Sequence, residues 1–322
     1  MHHISLPENK IRKMSFYLAM EEYIARNIDV QDAFFIWQVE PSVVFGRNQL
    51  IENEVNIDYC KKHNVQMYRR KSGGGCVYAD MSNMMLAYVT SSDQVCLTHH
   101  KYVSMVVQSL RKLGIPAEAN GRNDILLNGR KVSGNAFYHI PGRSIVHGTM
   151  LWDTNMENMV GSITPDDEKL ISKGVKSVRQ RVALLKDHTD KSLEEIRDFI
   201  VKDICTDSLA LTEEDVEKIQ EIEKEYLSNE FIYGNNPRYS IIKKRRIEGV
   251  GLIEARIELK NNMIKDIDFK GDYFLTGDIG AMCNSLKNTE LTRESLTNIL
   301  PDNISDVVMN LKKEDLVSLM AE

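Results

Sequence analysis

Asn128-Gly129 stands between two short runs, Asp124-Ile125-Leu126-Leu127 before it and Arg130-Lys131-Val132 after it. A type I′ turn requires positive φ at both central residues, and Asn-Gly tolerates this well, so a tight hairpin is predicted here. A two-residue hairpin commits its strands to antiparallel pairing. It also sets Lys131 just past the turn, on rigid backbone.

The surrounding pattern extends this reading. Residues 15–27 put Phe16, Ala19, Tyr23 and Ile24 on one helical stripe. Phe34 to Phe45 reads as extended, bent at Glu40-Pro41, and Asn56 to His63 as a helix. Gln66 to Arg70, Cys76-Val77-Tyr78, Met84 to Thr90 and Ile145 to Trp152 read as strands. A long helix is expected from about His100 to Leu113, with Gly114 ending it in a left-handed turn. Helices mixed with short, hairpin-linked strands predict an α+β fold with a large mixed, mostly antiparallel sheet.

The character changes after about residue 186. Ser192-Leu193-Glu194-Glu195 has the capping-box pattern, and Thr212 to Leu227 forms a second, highly charged helix. Gly234-Asn235-Asn236-Pro237 is a turn-rich break. Lys243-Lys244-Arg245-Arg246 reads as a solvated linker, with contact to an acidic acceptor as its other reading, after which two strands flank Asn261-Asn262 and helical patterns follow around Ile279, Leu296 and Leu316. The expected division is therefore a large domain at 1–244 and a small α+β domain at 245–322.

Composition narrows the partners. A net charge of −6 argues against nonspecific nucleic-acid binding, which depends on neutralising phosphates. No stretch approaches the roughly 20 apolar residues of a membrane span, and no charged-then-apolar segment opens the chain, so the cytoplasm is expected. Cys60, Cys76, Cys96, Cys205 and Cys283 are scattered, without CxxC or zinc-type histidine spacing, as buried thiols in a reducing compartment would be. His2-His3 is expected in a loose terminus, and His99-His100 point in different directions on a helix.

Two segments carry chemistry. Arg69-Arg70-Lys71-Ser72-Gly73-Gly74-Gly75 combines guanidinium groups with backbone that a ligand can approach closely, which suits an anion. It is neither a P-loop nor a Rossmann fingerprint, because the Gly-Lys-Ser/Thr ending and the Gly-x-Gly-x-x-Gly spacing are absent. Lys131, followed by Ser133-Gly134-Asn135-Ala136, would present one cation among small residues. A lysine on a hairpin and a glycine loop with arginines together suit an anionic acyl phosphate. Asp124 could hold magnesium or cap the turn, Arg69 could be a solvated neighbour, Cys76 a packing residue, and His147 a core histidine with its ring hydrogen-bonded.

Five ordered blocks, covering nearly the whole chain, resemble the lipoate–protein ligase A family. The first is Trp37-Gln38-x-Glu40-Pro41-Ser42-Val43-Val44-x-Gly46-Arg47-Asn48-Gln49. The second is Arg69-Arg70-x-Ser72-Gly73-Gly74-Gly75-x-Val77-Tyr78-x-Asp80, and the third Gly121-Arg122-Asn123-Asp124 with Lys131-Val132-Ser133-Gly134. His147-Gly148-Thr149-Met150-Leu151 and Gly174-Val175-x-Ser177-Val178-Arg179-x-Arg181-Val182 complete it. The tail is similar to the accessory domain of self-sufficient members. The sequence departs from the family at Ala79, often histidine there, and at Ser82 and Met85, although Asn83 matches.

The resemblance implies a catalytic domain of the biotin/lipoate ligase fold that turns lipoate and ATP, with Mg2+, into lipoyl-AMP. The lipoyl group then passes to a lysine of apo lipoyl domains of 2-oxoacid dehydrogenase complexes or of the glycine-cleavage carrier protein, and a monomer is expected. By resemblance Lys131 is the catalytic cation. Arg70, Gly75, Cys76, Val77, Tyr78 and Asp124 would join it around ATP. Trp37, Arg70, Ser72, Gly73, Gly74, Ser133, Gly134 and His147 would join it around lipoate. The metal ligands stay unassigned. One rival is an ATP-independent octanoyl or lipoyl transferase working through a cysteine thioester, and another is a weakly catalytic lipoate-binding protein. Biotin–protein ligase is disfavoured, since its Gly-Arg-Gly-Arg-type loop is missing.

Overall fold

The computed structural model describes residues 1–92, 94–121, 123–163, 181–233, 241–260 and 263–321. Arg122, most of the fifth sequence block, the Gly234–Pro237 break and Asn261-Asn262 lie outside the described residues. The chain divides into two compact units. The first holds Met1–Phe45, Ile51–Arg70 and Cys76–Ile232; the second holds Gly46–Leu50, Lys71–Gly75 and Tyr233–Glu322. The division thus falls near Tyr233 instead of 244/245, and two short segments from the N-terminal half belong to the second unit.

Strands in chain order are β1 (His2–Ser5), β2 (Asp32–Trp37), β3 (Ser42–Phe45), β4 (Gln66–Arg69), β5 (Val77–Ala79) and β6 (Asn83–Thr90). Then come β7 (Ala117–Ala119), β8 (Asp124–Leu127), β9 (Arg130–Ile140), β10 (Arg143–Leu151) and β11 (Asp207–Ala210). Eight of them form one mixed sheet in the order β11-β1-β2-β6-β10-β9-β8-β7, antiparallel from β2 to β7. At the other edge β1 runs parallel to both β11 and β2. His2 and His3 are therefore strand residues, not a loose terminus, because Ile4 enters the core and neighbouring strands satisfy the backbone. The two strands expected either side of Glu40-Pro41 both form, in different sheets: β2 joins the large one, while β3 sits between β4 and β5 in a small one.

Helices cover the sheet. Helix α1 (Met14–Asn27) lies on the sheet and is buried on every face from Met14 to Ala25, with Phe16, Ala19, Tyr23 and Ile24 all in the core; a charged helix at Glu213–Leu227 covers it, burying Val216, Ile219 and Tyr226. Tyr23 donates to Asp215 at 2.5 Å, and Ser15 to Glu223 at 2.6 Å, so the polar contacts between the two helices are satisfied. The helix at Val95–Lys112 starts five residues before the expected His100 and closes at Gly114, whose φ is +79°. The Ser192 capping box starts a helix at Leu193–Ile204 as the sequence predicts.

In the second unit, β12 (Ile241–Ile247), β13 (Gly251–Lys260) and β14 (Met263–Gly271) form an antiparallel meander. Helices at Ile279–Leu286, Arg293–Ile299 and Lys313–Ala321 complete its core. Lys243–Arg246 is not a linker: it lies inside β12, where alternate residues are half-buried and exposed. The triple-glycine loop is also built into this unit. Gly74 N–H donates to the Tyr273 carbonyl at 3.2 Å and Arg47 N–H to the Ser72 carbonyl at 2.8 Å. A Cβ on Gly73 would lie 2.6 Å from the Tyr273 carbonyl oxygen, and one on Gly46 would lie 2.3 Å from that of Gly74. Close backbone packing alone thus demands glycine at both positions.

Candidate active site

Lys131 is aimed by a break in strand register. Asn128 (φ 50°) and Gly129 (φ 76°) form the type I′ turn that the sequence predicts. Beyond it Leu126 pairs with Lys131, but Ile125 pairs with Ser133, so Val132 is an extra residue on β9. Such a bulge changes which face the next side chain takes. As a result the Lys131 ammonium lies over Gly134: a Cβ at Gly134 would come within 2.8 Å of both Cε and Nζ. The backbone of Lys131 is held on its other side too, by a bridge to Val182 and a 2.8 Å bond from Ala183 N–H to its carbonyl.

Asp124 settles the charge. Its Oδ1 lies 2.7 Å from Lys131 Nζ, and its Oδ2 accepts from Asn120 Nδ2 at 3.1 Å. The structure gives Asp124 an ion pair that orients the lysine, beside the turn-capping and metal roles considered from sequence. With 39% of its side chain exposed, Lys131 stays accessible to a ligand.

A cavity of about 160 Å3 opens beside this lysine. It gathers Cys76, Val77, Tyr78, Ser133 and Gly134 from the predicted set, and adds Thr149, Leu151 and Met159, which the sequence reading did not assign. Tyr78 is buried, its hydroxyl has no partner among the described residues, and burial pushes its pKa well above the ordinary phenol value, so it stays a proton donor. Cys76 is half-buried and in no disulfide among the described residues.

The other predicted residues sit as follows. Arg70 is buried, and desolvation lowers its pKa to about 10, leaving it a cation at neutral pH. It donates from Nη1 to the Val44 carbonyl at 2.9 Å. Arg69 is not solvated: it is buried, stacks 4.6 Å above the Phe45 ring and donates to the Ile232 carbonyl. Ser72, Gly73, Gly74 and Gly75 belong to the second unit described above. His147 is on β10, its Nδ1 2.6 Å from Glu21 Oε2 in the sheet–α1 core, matching the hydrogen-bonded core reading. Burial pushes the Glu21 carboxyl up, and His147 pulls against it. Glu21 was missed because a glutamate on an apolar helix stripe gives no local sign of a partner 126 positions away. Trp37 does not line the Lys131 cavity; it stacks on Tyr17 with centroids 4.5 Å apart.

The mixed sheet thus presents an ion-paired lysine over small residues, and similarity to known proteins identifies the class. Residues 13–205 match the lipoyl protein ligase A/B catalytic domain, and residues 236–320 the bacterial lipoate protein ligase C-terminus. Lipoate-protein ligase LplJ of Bacillus subtilis is 33% identical over 316 residues, covering 94% of this chain and 95% of the relative. Lipoate–protein ligase 1 of Staphylococcus aureus is 33% identical over 290 residues, covering 87% and 88%. The crystal structure of P. falciparum LipL1 in complex with lipoate shares the fold across 99% of this chain and 98% of that one, with TM-score 0.79 and 18% identity. A lipoate-protein ligase A bound with ATP covers 72% of this chain and 98% of its own, with TM-score 0.63 and 26% identity. The chain belongs to the lipoate–protein ligase family and is a ligase with the family's two-part organisation. Among the described residues no helix is long and apolar enough to cross a membrane.

Proposed function

We propose that this ligase activates lipoate with ATP and then transfers the lipoyl group to a lysine of an acceptor protein. In the first step a carboxylate oxygen of lipoate attacks the α-phosphorus of ATP, the bond to pyrophosphate breaks, and lipoyl-AMP forms. In the second the acceptor's ε-amine attacks the acyl carbon, and AMP leaves with the bonding pair. Both steps build negative charge on phosphoryl or acyl oxygens. A cation fixed beside them is worth roughly 3–4 kcal/mol when it needs no reorganisation.

The observation that carries this reading is Lys131 held against Asp124 at 2.7 Å on a bulged strand, over Gly134. Its role is electrostatic, with Arg70, Tyr78, Cys76, Val77 and Gly75 toward the nucleotide. On the acyl side this reading keeps Ser133 and Gly134, which line the cavity beside Lys131. Support comes from the relatives bound with ATP and with lipoic acid. The archaeal ligase from Thermoplasma acidophilum studied with its E2 lipoyl domain supports lipoyl domains as acceptors, and the glycine-cleavage carrier protein is the second expected one.

Magnesium would neutralise the phosphates of bound ATP. Asp124 Oδ1 lies 2.7 Å from Lys131 Nζ and its Oδ2 accepts from Asn120, and among the described residues no three His, Cys, Asp or Glu side chains converge. The chain therefore suits an ion held mostly by nucleotide and water. The test is pyrophosphate release with lipoate as the acyl substrate: wild type releases it and Lys131→Ala is slowed 100-fold or more. Equal release from both would overturn the assignment of Lys131. Absence of any added lipoyl mass on both acceptor proteins would remove the acceptor claim.

A further inference from the structure

Asn120 stands just before β8, exposed to solvent, and is tied to Asp124 at several points. Its backbone N–H donates to the Asp124 carbonyl at 3.1 Å. Its Oδ1 accepts from the backbone N–H groups of Asn123 and Asp124 at 3.2 and 3.0 Å. Its Nδ2 donates to Asp124 Oδ2 at 3.1 Å. The two backbone N–H groups need an acceptor, so Oδ1 must face them and the amide cannot turn over. The NH2 end is thereby fixed toward the carboxylate.

Asp124 is held at one oxygen and used at the other. Its Oδ1, shielded from solvent, lies 2.7 Å from Lys131 Nζ. Asp124 pairs with Gly134 across β8 and β9, and the missing Cβ leaves both charged side chains room, so packing on that side does not set their aim. Behind Asp124, His99 and His100 of the helix at Val95–Lys112 share a small cavity with Asn120, Asn123 and Asp124. His99 is buried, and desolvation lowers its pKa to about 4, so it adds no charge near neutral pH.

We propose that Asn120 is a positioning residue for adenylate formation: its amide fixes the Asp124 carboxylate, which in turn aims the Lys131 ammonium at the reacting oxygens. This rests on the electrostatic role given to Lys131 above. A neutral donor suits the task. A cation at this place would compete with Lys131 for the carboxylate, and an anion would compete with Asp124 for the lysine.

Closing the turn and orienting the carboxylate come apart in Asn120→Asp. The variant keeps an oxygen for the two backbone N–H groups, but sets a second oxygen where the amide nitrogen stood, 3.1 Å from Asp124 Oδ2. Like charges at that distance repel, and the pair holds a proton that neither acid alone would keep.

Pyrophosphate release by the full-length chain with ATP and lipoate, followed against pH, tests this. At pH about 8.5, kcat of Asn120→Asp falls about 5- to 20-fold, while KM for both substrates stays within about twofold of wild type. The thermal midpoint is unchanged. At pH about 6 the shared proton rebuilds an O–H···O bond, and the deficit against wild type at the same pH shrinks to about a third or less. A wild-type kcat at the higher pH overturns the inference. So does a deficit equal at both pH values, or one that follows a lowered melt, since each marks a role in the turn alone. Lys131→Ala, run beside it, keeps the two readings apart. Wild-type release from that variant overturns the role of Lys131 and this inference with it, whereas a slow Lys131→Ala beside a wild-type Asn120→Asp overturns this inference only.

Discussion

Gly134→Ala tests whether the position of the Lys131 amine matters as much as its charge. An alanine Cβ would stand 2.8 Å from Cε and Nζ, whereas carbon contacts settle near 3.5–4.0 Å. The ammonium must therefore retreat by about 1 Å. Only the end of a flexible side chain moves, and Gly134 has no positive φ, so folding stability falls by under about 1 kcal/mol. Catalysis is less forgiving: a displacement of about 1 Å can cost on the order of 100-fold. We expect kcat/KM for lipoyl transfer to fall by about 10- to 100-fold, roughly 1.4–2.8 kcal/mol of barrier. Pyrophosphate release measures the first step, intact mass of a lipoyl domain the second, and a thermal melt checks folding. Turnover within twofold of wild type would refute the reasoning. So would a loss of activity that merely follows a collapse of the melt.

Other substitutions separate structure from chemistry. Gly73→Ala lowers the thermal midpoint by several degrees, because its methyl meets rigid backbone at Tyr273; Gly75→Ala, with nothing within 4 Å of its Cβ, leaves the melt unchanged and raises KM for ATP. Glu21→Ala strips a buried partner from His147 and costs about 3–5 kcal/mol, read from the urea midpoint. Cys76→Ser keeps pyrophosphate release within twofold of wild type, whereas a thioester mechanism would lose transfer altogether. Lys112 and then Ser109 hold the Asp203 carboxyl below its usual range. A lowered carboxyl stabilises while ionised, so Asp203→Asn costs about 1 kcal/mol at neutral pH. That difference, followed by urea melts against pH, closes as acid protonates the wild-type carboxylate through its depressed folded value.

Much of this was legible from local pattern. Asn128-Gly129 dictates its own turn, Ser192 and Glu195 cap each other, and the α1 stripe buries the residues its spacing predicts. These are interactions within a few positions, so the chain states them directly. The bulge at Val132 is different: nothing in Lys131-Val132-Ser133 announces an extra residue, because register is decided by the partner strand. The Asp124 oxygens, the Glu21–His147 pair and the glycine packing against Tyr273 likewise depend on contacts that the sheet and loops create. His2-His3 misled for the same reason, since a four-residue strand takes its stability from neighbours far along the chain.

Strand β1 has a kinetic corollary. It is inserted between β2, roughly thirty residues downstream, and β11, roughly two hundred downstream. During synthesis the chain's opening segment can rest against its first neighbour early, but the far flank stays bare until translation has passed Ala210. A ribosome stalled before that point leaves a nascent chain with an open, adhesive border, so chaperone dependence should peak in that window and subside once the last strand emerges.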